Sequence, residues 1–213
     1  MKYKYILFDL DGTLTDPGEG ITNSVAYSLK KFGIEVEDKT ELYKFIGPPL
    51  VDSFKEFYGF SDDKAWQGVE YYREYFADKG IFENKVYKDI TKVLETLRNK
   101  GYHLLIATSK PTNYAVKILE EFNLAGYFDF VSGSDMNEKN SNKSEIIRYA
   151  LDMNNIAPEE AVMIGDRKHD IIGAKANGVH SIGVLYGYGD MQELQMACAD
   201  DIAQTVEMIL EYL

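Results

Sequence analysis

The sequence predicts an α/β protein: a doubly wound, Rossmann-like parallel sheet of about five strands, interrupted early by an all-helical insert. Three observations carry that expectation. A run of apolar and aromatic residues, Tyr5 to Phe8, reads as a buried strand that stops abruptly at Asp9, Leu10, Asp11 and Gly12. From Ile21 to about Lys79 the apolar residues recur at helical spacing, and no segment alternates like a strand. From Asp89 onward short apolar runs alternate with amphipathic stretches, which is the rhythm of a parallel sheet with crossover helices.

After Thr15 the stretch Asp16-Pro17-Gly18-Glu19-Gly20 reads as a turn-rich hinge. The insert then shows Ile21, Val25, Leu29 and Phe32, next Phe54, Phe57 and Tyr58, and then Trp66, Val69, Tyr72, Tyr75 and Phe76. Gly33, Gly47-Pro48-Pro49, Gly59 and Gly80 punctuate them. About four helices are expected here, so residues 16–84 form one domain and residues 1–15 with 85–213 the other. Asp89 is placed to cap a helix whose apolar face is Ile90, Val93, Leu94 and Leu97 and which stops at Gly101. Strand Leu104 to Ala107, helix Thr112 to Phe122 and strand Phe128 to Val131 follow. Helix Ser144 to Leu151, strand Ala161 to Ile164, helix Lys168 to Ala176, strand Ser181 to Leu185 and a terminal helix Ile202 to Leu213 complete the chain.

The 213 residues are 45% hydrophobic and 27% charged, enough to bury a sizeable core. A net charge of −12 argues against a nucleic-acid backbone or an anionic membrane as the main partner, so any anionic ligand must meet a local positive patch. The single cysteine, Cys198, excludes an intrachain disulfide, and neither a signal-peptide pattern nor a bilayer-spanning apolar run is seen. A cytoplasmic protein is the expectation.

Chemistry is expected at the carboxyl ends of the strands, where ligands bind in such sheets. Asp9 and Asp11, spaced i, i+2 at the mouth of a core strand, repel unless a cation or proton is near. Thr108-Ser109-Lys110 ends the second core strand, and Gly165-Asp166, with Asp170 one turn later, ends the fourth. Asn142 and Glu145 are spaced as a capping box around Lys143. A lysine in the first helical turn opposes the helix dipole by roughly 0.3–1 kcal/mol, so it calls for an anionic partner. Four acids and one lysine on the strand ends describe a hard-cation site with a lysine beside it.

The set Asp9-Leu10-Asp11-Gly12-Thr13, Thr108, Lys143 and Gly165-Asp166-Arg167-Lys168-His169-Asp170, in that order, resembles the four motifs of the haloacid dehalogenase superfamily. The resemblance is to the phosphatase branch with a helical cap after the first motif, of the phosphoglycolate phosphatase-like kind. It implies a phosphatase for a small phosphomonoester, with Asp9 as nucleophile of an aspartyl-phosphate and Asp11 as acid and base. Thr108, Ser109 and Lys143 would bind the phosphoryl group. Mg²⁺ would sit on Asp9, the Asp11 main-chain carbonyl and Asp166, with Asp170 behind. Asp11 speaks against a dehalogenase, whose members lack an acid at that position.

Specificity is expected in the cap. The loop Phe45-Ile46-Gly47-Pro48-Pro49-Leu50 resembles the specificity loop of phosphoglycolate phosphatase-like proteins, and reads equally as an ordinary turn with Pro opening the next helix. Arg73 and Lys55 are candidates for a substrate carboxylate or for solvated surface charges. Tyr43, Phe54, Tyr72 and Tyr75 are candidates for stacking on a nucleobase or for the cap's own core. The alternatives are a 5′-nucleotidase, a sugar phosphomutase, a receiver-like module or an inactive phosphate-binding relative. The expected partner is a small phosphorylated metabolite, with no nucleic-acid polymer and no membrane, and the chain is expected as a monomer or homodimer.

Overall fold

The computed structural model describes residues 2–136 and 142–213. The chain forms two compact units, Met1–Thr15 with Val86–Leu213, and Asp16–Lys85. The first unit is built on a six-stranded sheet of β1 (Tyr5–Phe8), β2 (His103–Pro111), β3 (Phe130–Ser134), β4 (Ala161–Gly165), β5 (His180–Val184) and β6 (Asp201–Ala203). Their order is β3-β2-β1-β4-β5-β6, and every neighbouring pair is parallel. β1 holds the centre because its residues Ile6, Leu7 and Phe8 are fully buried; removing each such side chain from water contributes about 1.5–3 kcal/mol.

The sixth strand corrects the expected terminal helix from Ile202. Asp201, Ile202 and Ala203 pair with Ile182, Gly183 and Val184, and only Glu207–Glu211 turns helically, as a 3₁₀ segment. Pairing there satisfies backbone groups on the edge of β5 that a helix would leave open. β3 also runs later than the expected Phe128 to Val131. Its end is Ser132, Gly133 and Ser134, which carry no apolar signal, yet the Ser132 hydroxyl is buried because it donates to Ile146 O at 2.9 Å.

The second unit contains α1 (Gly18–Lys31), a 3₁₀ turn at Lys39–Phe45, α2 (Leu50–Tyr58), α3 (Asp62–Tyr75) and a π turn at Phe76–Gly80. α1 starts earlier than the expected hinge allows, so only Asp16 and Pro17 precede it. Asp16 Oδ1 accepts the Gly18 N–H at 3.1 Å, and Gly20 already lies inside the helix. A Cβ on Gly20 would fall 2.0 Å from Gly80 O, so glycine here permits a close approach within the insert. Phe54 packs edge-on against Phe45 and flat against Phe60, with centroids 5.2 and 5.7 Å away. Phe54 and Tyr72 therefore belong to the insert's own core, whereas Tyr43 is exposed. Lys55 is engaged with Asp62 at 2.6 Å.

Helices α4 (Ile90–Asn99), α5 (Thr112–Glu121), α6 (Lys143–Asn154), α7 (Lys168–Ala176) and α8 (Met191–Met196) complete the first unit. α4 buries Ile90, Val93, Leu94 and Leu97 as its spacing predicts. Asp89, however, stands before it at φ 67° and makes no capping hydrogen bond through its side chain. α6 packs Ile146, Ile147, Ala150 and Leu151 with Leu7 and Met163, which fixes its start near the end of β1. Asn142 caps α6 by accepting the Ser144 N–H at 2.9 Å, one position short of the expected box with Glu145. α8 had no counterpart in the sequence pattern; Asp190 caps it by accepting the Glu193 N–H at 2.8 Å. Among the described residues no helix is long and apolar enough to cross a membrane.

Candidate active site

The strand order reverses between β1 and β4, so the loops leaving these two strands diverge and open a crevice at their carboxyl ends. Asp9 is the first residue past β1; its N–H still donates to Ile164 O at 2.9 Å, which aligns it with the end of β4. Its Oδ1 accepts the Leu10 N–H at 2.7 Å. The chain then turns tightly, Leu14 N–H donating to Leu10 O at 2.9 Å, with Gly12 at φ +81°. A Cβ on Gly12 would lie 2.2 Å from Asp166 Oδ2, so the positive φ and the close approach both demand glycine.

Asp166 follows β4 and Arg167 is the N-cap of α7, so Asp166 lies on the loop ahead of the helix instead of on its first turn. Asp170 Oδ2 accepts the Arg167 N–H at 3.1 Å and thereby caps the helix. Gly165 leaves room for it, since a Cβ there would fall 2.2 Å from Asp170 Cγ. Lys143, the first residue of α6, reaches in from the other side. Its Nζ donates to Ala107 O at 3.1 Å and lies 3.0 Å from Asp9 Oδ1 and 2.8 Å from Asp170 Oδ1. The contact with Asp170 Oδ1 joins two buried, opposite charges.

One carboxylate oxygen each of Asp9, Asp166 and Asp170 lies within 4.8 Å of the others, and all three side chains are buried. Lys143 is the ammonium beside them, which leaves the group anionic when all three acids are ionised. Burial, with Asp170 and Asp9 nearby, pushes the Asp166 carboxyl well above the usual carboxylate range. Burial likewise raises Asp170 to about 6, against the pull of Lys143. Burial disfavours the Lys143 charge, but Asp170 and Asp9 outweigh it and hold the ammonium above the ordinary lysine value. Hard oxygen donors with excess negative charge fit a small divalent cation.

Asp11 stands apart from this group. Its Oδ2 pairs with Lys110 Nζ at 2.7 Å, and burial raises its carboxyl while Lys110 works the other way. The converging carboxylates thus include Asp170, expected behind the site, while the Asp11 side chain turns elsewhere. Thr108 is buried, its Oγ1 accepting the Lys110 N–H at 3.3 Å, and Ser109 O accepts from Ser134 Oγ at 2.8 Å. Gly47 and Arg73 belong to the helical unit. Gly47 has φ 105° in the loop before α2, and Arg73 is half-buried in the last turn of α3.

Two features escaped the sequence reading. The role of Lys110, read only as the last residue of a strand end, is the first, although its i, i+2 relation to Thr108 in an extended strand was a usable signal. The loop Gly187-Tyr188-Gly189 is the second: the Tyr188 N–H donates to Asp166 Oδ2 at 2.8 Å. A Cβ on Gly187 would meet Gly12 O at 2.2 Å, and one on Gly189 would meet Asp166 O at 1.9 Å. Glycines used for close approach show no motif until the partner backbone is known.

Residues 6–184 match the family model described as haloacid dehalogenase-like hydrolase. Over 195 residues the chain is 46% identical to a 5′-nucleotidase of Pseudomonas aeruginosa, covering 92% of this chain and 88% of that protein. It is 32% identical over 194 residues to a phosphoglycolate phosphatase of Aquifex aeolicus, covering 87% and 86% of the two chains. The crystal structure of a predicted phosphatase from Clostridium acetobutylicum superposes with a TM-score of 0.98 at 51% identity, over 100% of this chain and 98% of that one.

Proposed function

Because this chain belongs to the haloacid dehalogenase-like hydrolase family, we propose that it hydrolyses the phosphomonoester of a small metabolite, with Asp9 as nucleophile. The observation that carries this reading is the buried Asp9 carboxylate, 3.0 Å from Lys143 and clustered with Asp166 and Asp170 at the carboxyl ends of β1 and β4. Asp9 attacks phosphorus, the bond to the ester oxygen breaks, and the Asp11 carboxyl gives that oxygen its proton. Asp11, now a carboxylate, takes a proton from the water that attacks the aspartyl-phosphate, releasing inorganic phosphate and free Asp9. The Lys143 ammonium and the Thr108 hydroxyl, with Ser109 beside it, bind the phosphoryl oxygens as charge shifts onto them. Asp9 and Asp166, with the Asp11 carbonyl and with Asp170 behind, would hold Mg²⁺, which would supply positive charge against the repulsion between two anions. The rest of the substrate is left to the insert, where Gly47 and Arg73 are the candidates.

For the substrate class, the 46% identity to a 5′-nucleotidase favours nucleoside monophosphates, and the 32% identity to a phosphoglycolate phosphatase supports phosphoglycolate as the second reading. Phosphate release from a panel of nucleoside monophosphates, phosphoglycolate and sugar phosphates with Mg²⁺ tests both. The chemistry is tested by Asp9→Asn, expected to lower Mg²⁺-dependent release from p-nitrophenyl phosphate by roughly 10⁴-fold or more with an unchanged circular dichroism spectrum. Near-normal turnover in that variant rules out Asp9 as nucleophile.

A further inference from the structure

β2 outruns its neighbour. The two strands pair in register from Tyr5 with His103 to Phe8 with Ile106, after which β1 breaks into its turn while β2 continues to Pro111. Its pairing with β3 shifts register between Ala107 and Pro111. This overhang is anchored from several sides. Thr108 Oγ1 accepts the Lys110 N–H at 3.3 Å, and Ser134 Oγ donates to Ser109 O at 2.8 Å. Gly133 packs so near that a Cβ there would fall 2.6 Å from Lys110 O.

A lysine whose main chain is held in this way delivers its ammonium to a defined place. That place is Asp11 Oδ2, 2.7 Å away, with the two side chains only 6% and 11% exposed. The other oxygen, Asp11 Oδ1, is buried and accepts no hydrogen bond among the described residues. The terminal torsion of an aspartate is broad, so a carboxyl without such a clamp samples many orientations of its plane.

We propose that Lys110 is a positioning residue for the reaction: by holding Asp11 Oδ2 it fixes the carboxyl plane and reserves Oδ1 for proton exchange with the ester oxygen and then with water. The inference rests on the phosphatase reading and on Asp11 as its acid and base. Lys110 itself makes and breaks no bond; the proton travels from Asp11 Oδ1 to the ester oxygen as the phosphorus–oxygen bond breaks, and returns from water in the second half-reaction.

Aryl phosphates test this, because phenol needs a proton as it leaves and 2,4-dinitrophenol does not. With Mg²⁺ present, kcat/KM covers every step up to release of the phenol. Lys110→Met is expected to lower kcat/KM for phenyl phosphate by about tenfold or more, and to change that for 2,4-dinitrophenyl phosphate by less than about threefold. Lys110→Arg, which restores a cation, should recover part of the loss. Lys110→Gln repeats the comparison if the methionine variant does not fold. Equal losses on the two esters, a change confined to KM, or no change at all would each overturn the proposal. Asp9→Asn separates the two levels. Activity surviving there overturns the phosphatase reading, whereas its loss there beside an unaltered Lys110→Met overturns the positioning alone.

Discussion

Asp166 illustrates how much electrostatic strain a single buried residue carries. Burial and two acidic neighbours raise its carboxyl, and burial raises that of Asp170 to about 6, while both groups titrate near 3.9 in an unfolded chain. The folded state therefore binds protons more tightly: the Asp170 contribution to stability is complete below about pH 4 and is lost as pH rises through about 6, and the Asp166 contribution is likewise present at low pH and lost as pH rises. A divalent cation removes the same penalty by another route. Mg²⁺ should accordingly raise Tm more at pH 7.5 than at pH 5, its stabilisation reaching about 2.7 kcal/mol at a hundredfold excess over Kd. Asp166→Asn should stabilise the metal-free protein at pH 7.5 by on the order of 1 kcal/mol and abolish the Mg²⁺ response. Differential scanning calorimetry with and without EDTA checks both, and a Mg²⁺ shift independent of pH would contradict the charge argument.

At the level of elements, the site is assembled by loops that need glycine at their points of contact. The loop after β5 touches both the turn after β1 and the loop after β4 through Gly187, whose hypothetical Cβ sits 2.2 Å from Gly12 O and 2.5 Å from Asp166 Cβ. Neither partner is the end of a flexible side chain, so one of them must move. Gly187→Ala should cost about 1–3 kcal/mol in urea unfolding and weaken Mg²⁺ binding measured by isothermal titration calorimetry. Loss of stability with unaltered Mg²⁺ affinity would show that the loop supports the fold without positioning Asp166. The helical insert depends on aromatic packing in the same local way, Phe54 lying between Phe45 and Phe60.

For the whole molecule, 35 acidic against 23 basic residues give −12, a field that opposes the approach of a phosphate ester. Lys110 and Lys143 do not alter that long-range field much, because each is buried against acids. Raising ionic strength from 20 to 200 mM should therefore increase kcat/KM for a dianionic ester by about two- to threefold, by screening the repulsion. Stopped-flow or initial-rate measurements at low substrate concentration check this; a decrease would indicate a local positive patch that dominates the approach.

What depends on local pattern was legible before the fold was known. The apolar run Tyr5 to Phe8, the helical spacing of the insert and the βα alternation after Asp89 record burial and period, and these are legible wherever they occur. Asp9, Asp11, Thr108, Lys143, Asp166 and Asp170 were legible for the same reason, since each stands at the end of an apolar strand or the start of a helix. Which of them meet depends on the fold. It put Asp170 with Asp9 and Asp166, set Lys110 against Asp11, and packed Gly187 and Gly189 on Asp166. It also made a strand of Asp201–Ala203, whose helical spacing gave way to the open edge of β5. Those outcomes turn on distances between segments far apart in the chain, and a charge or a glycine shows its partner only when the fold brings the two backbones together.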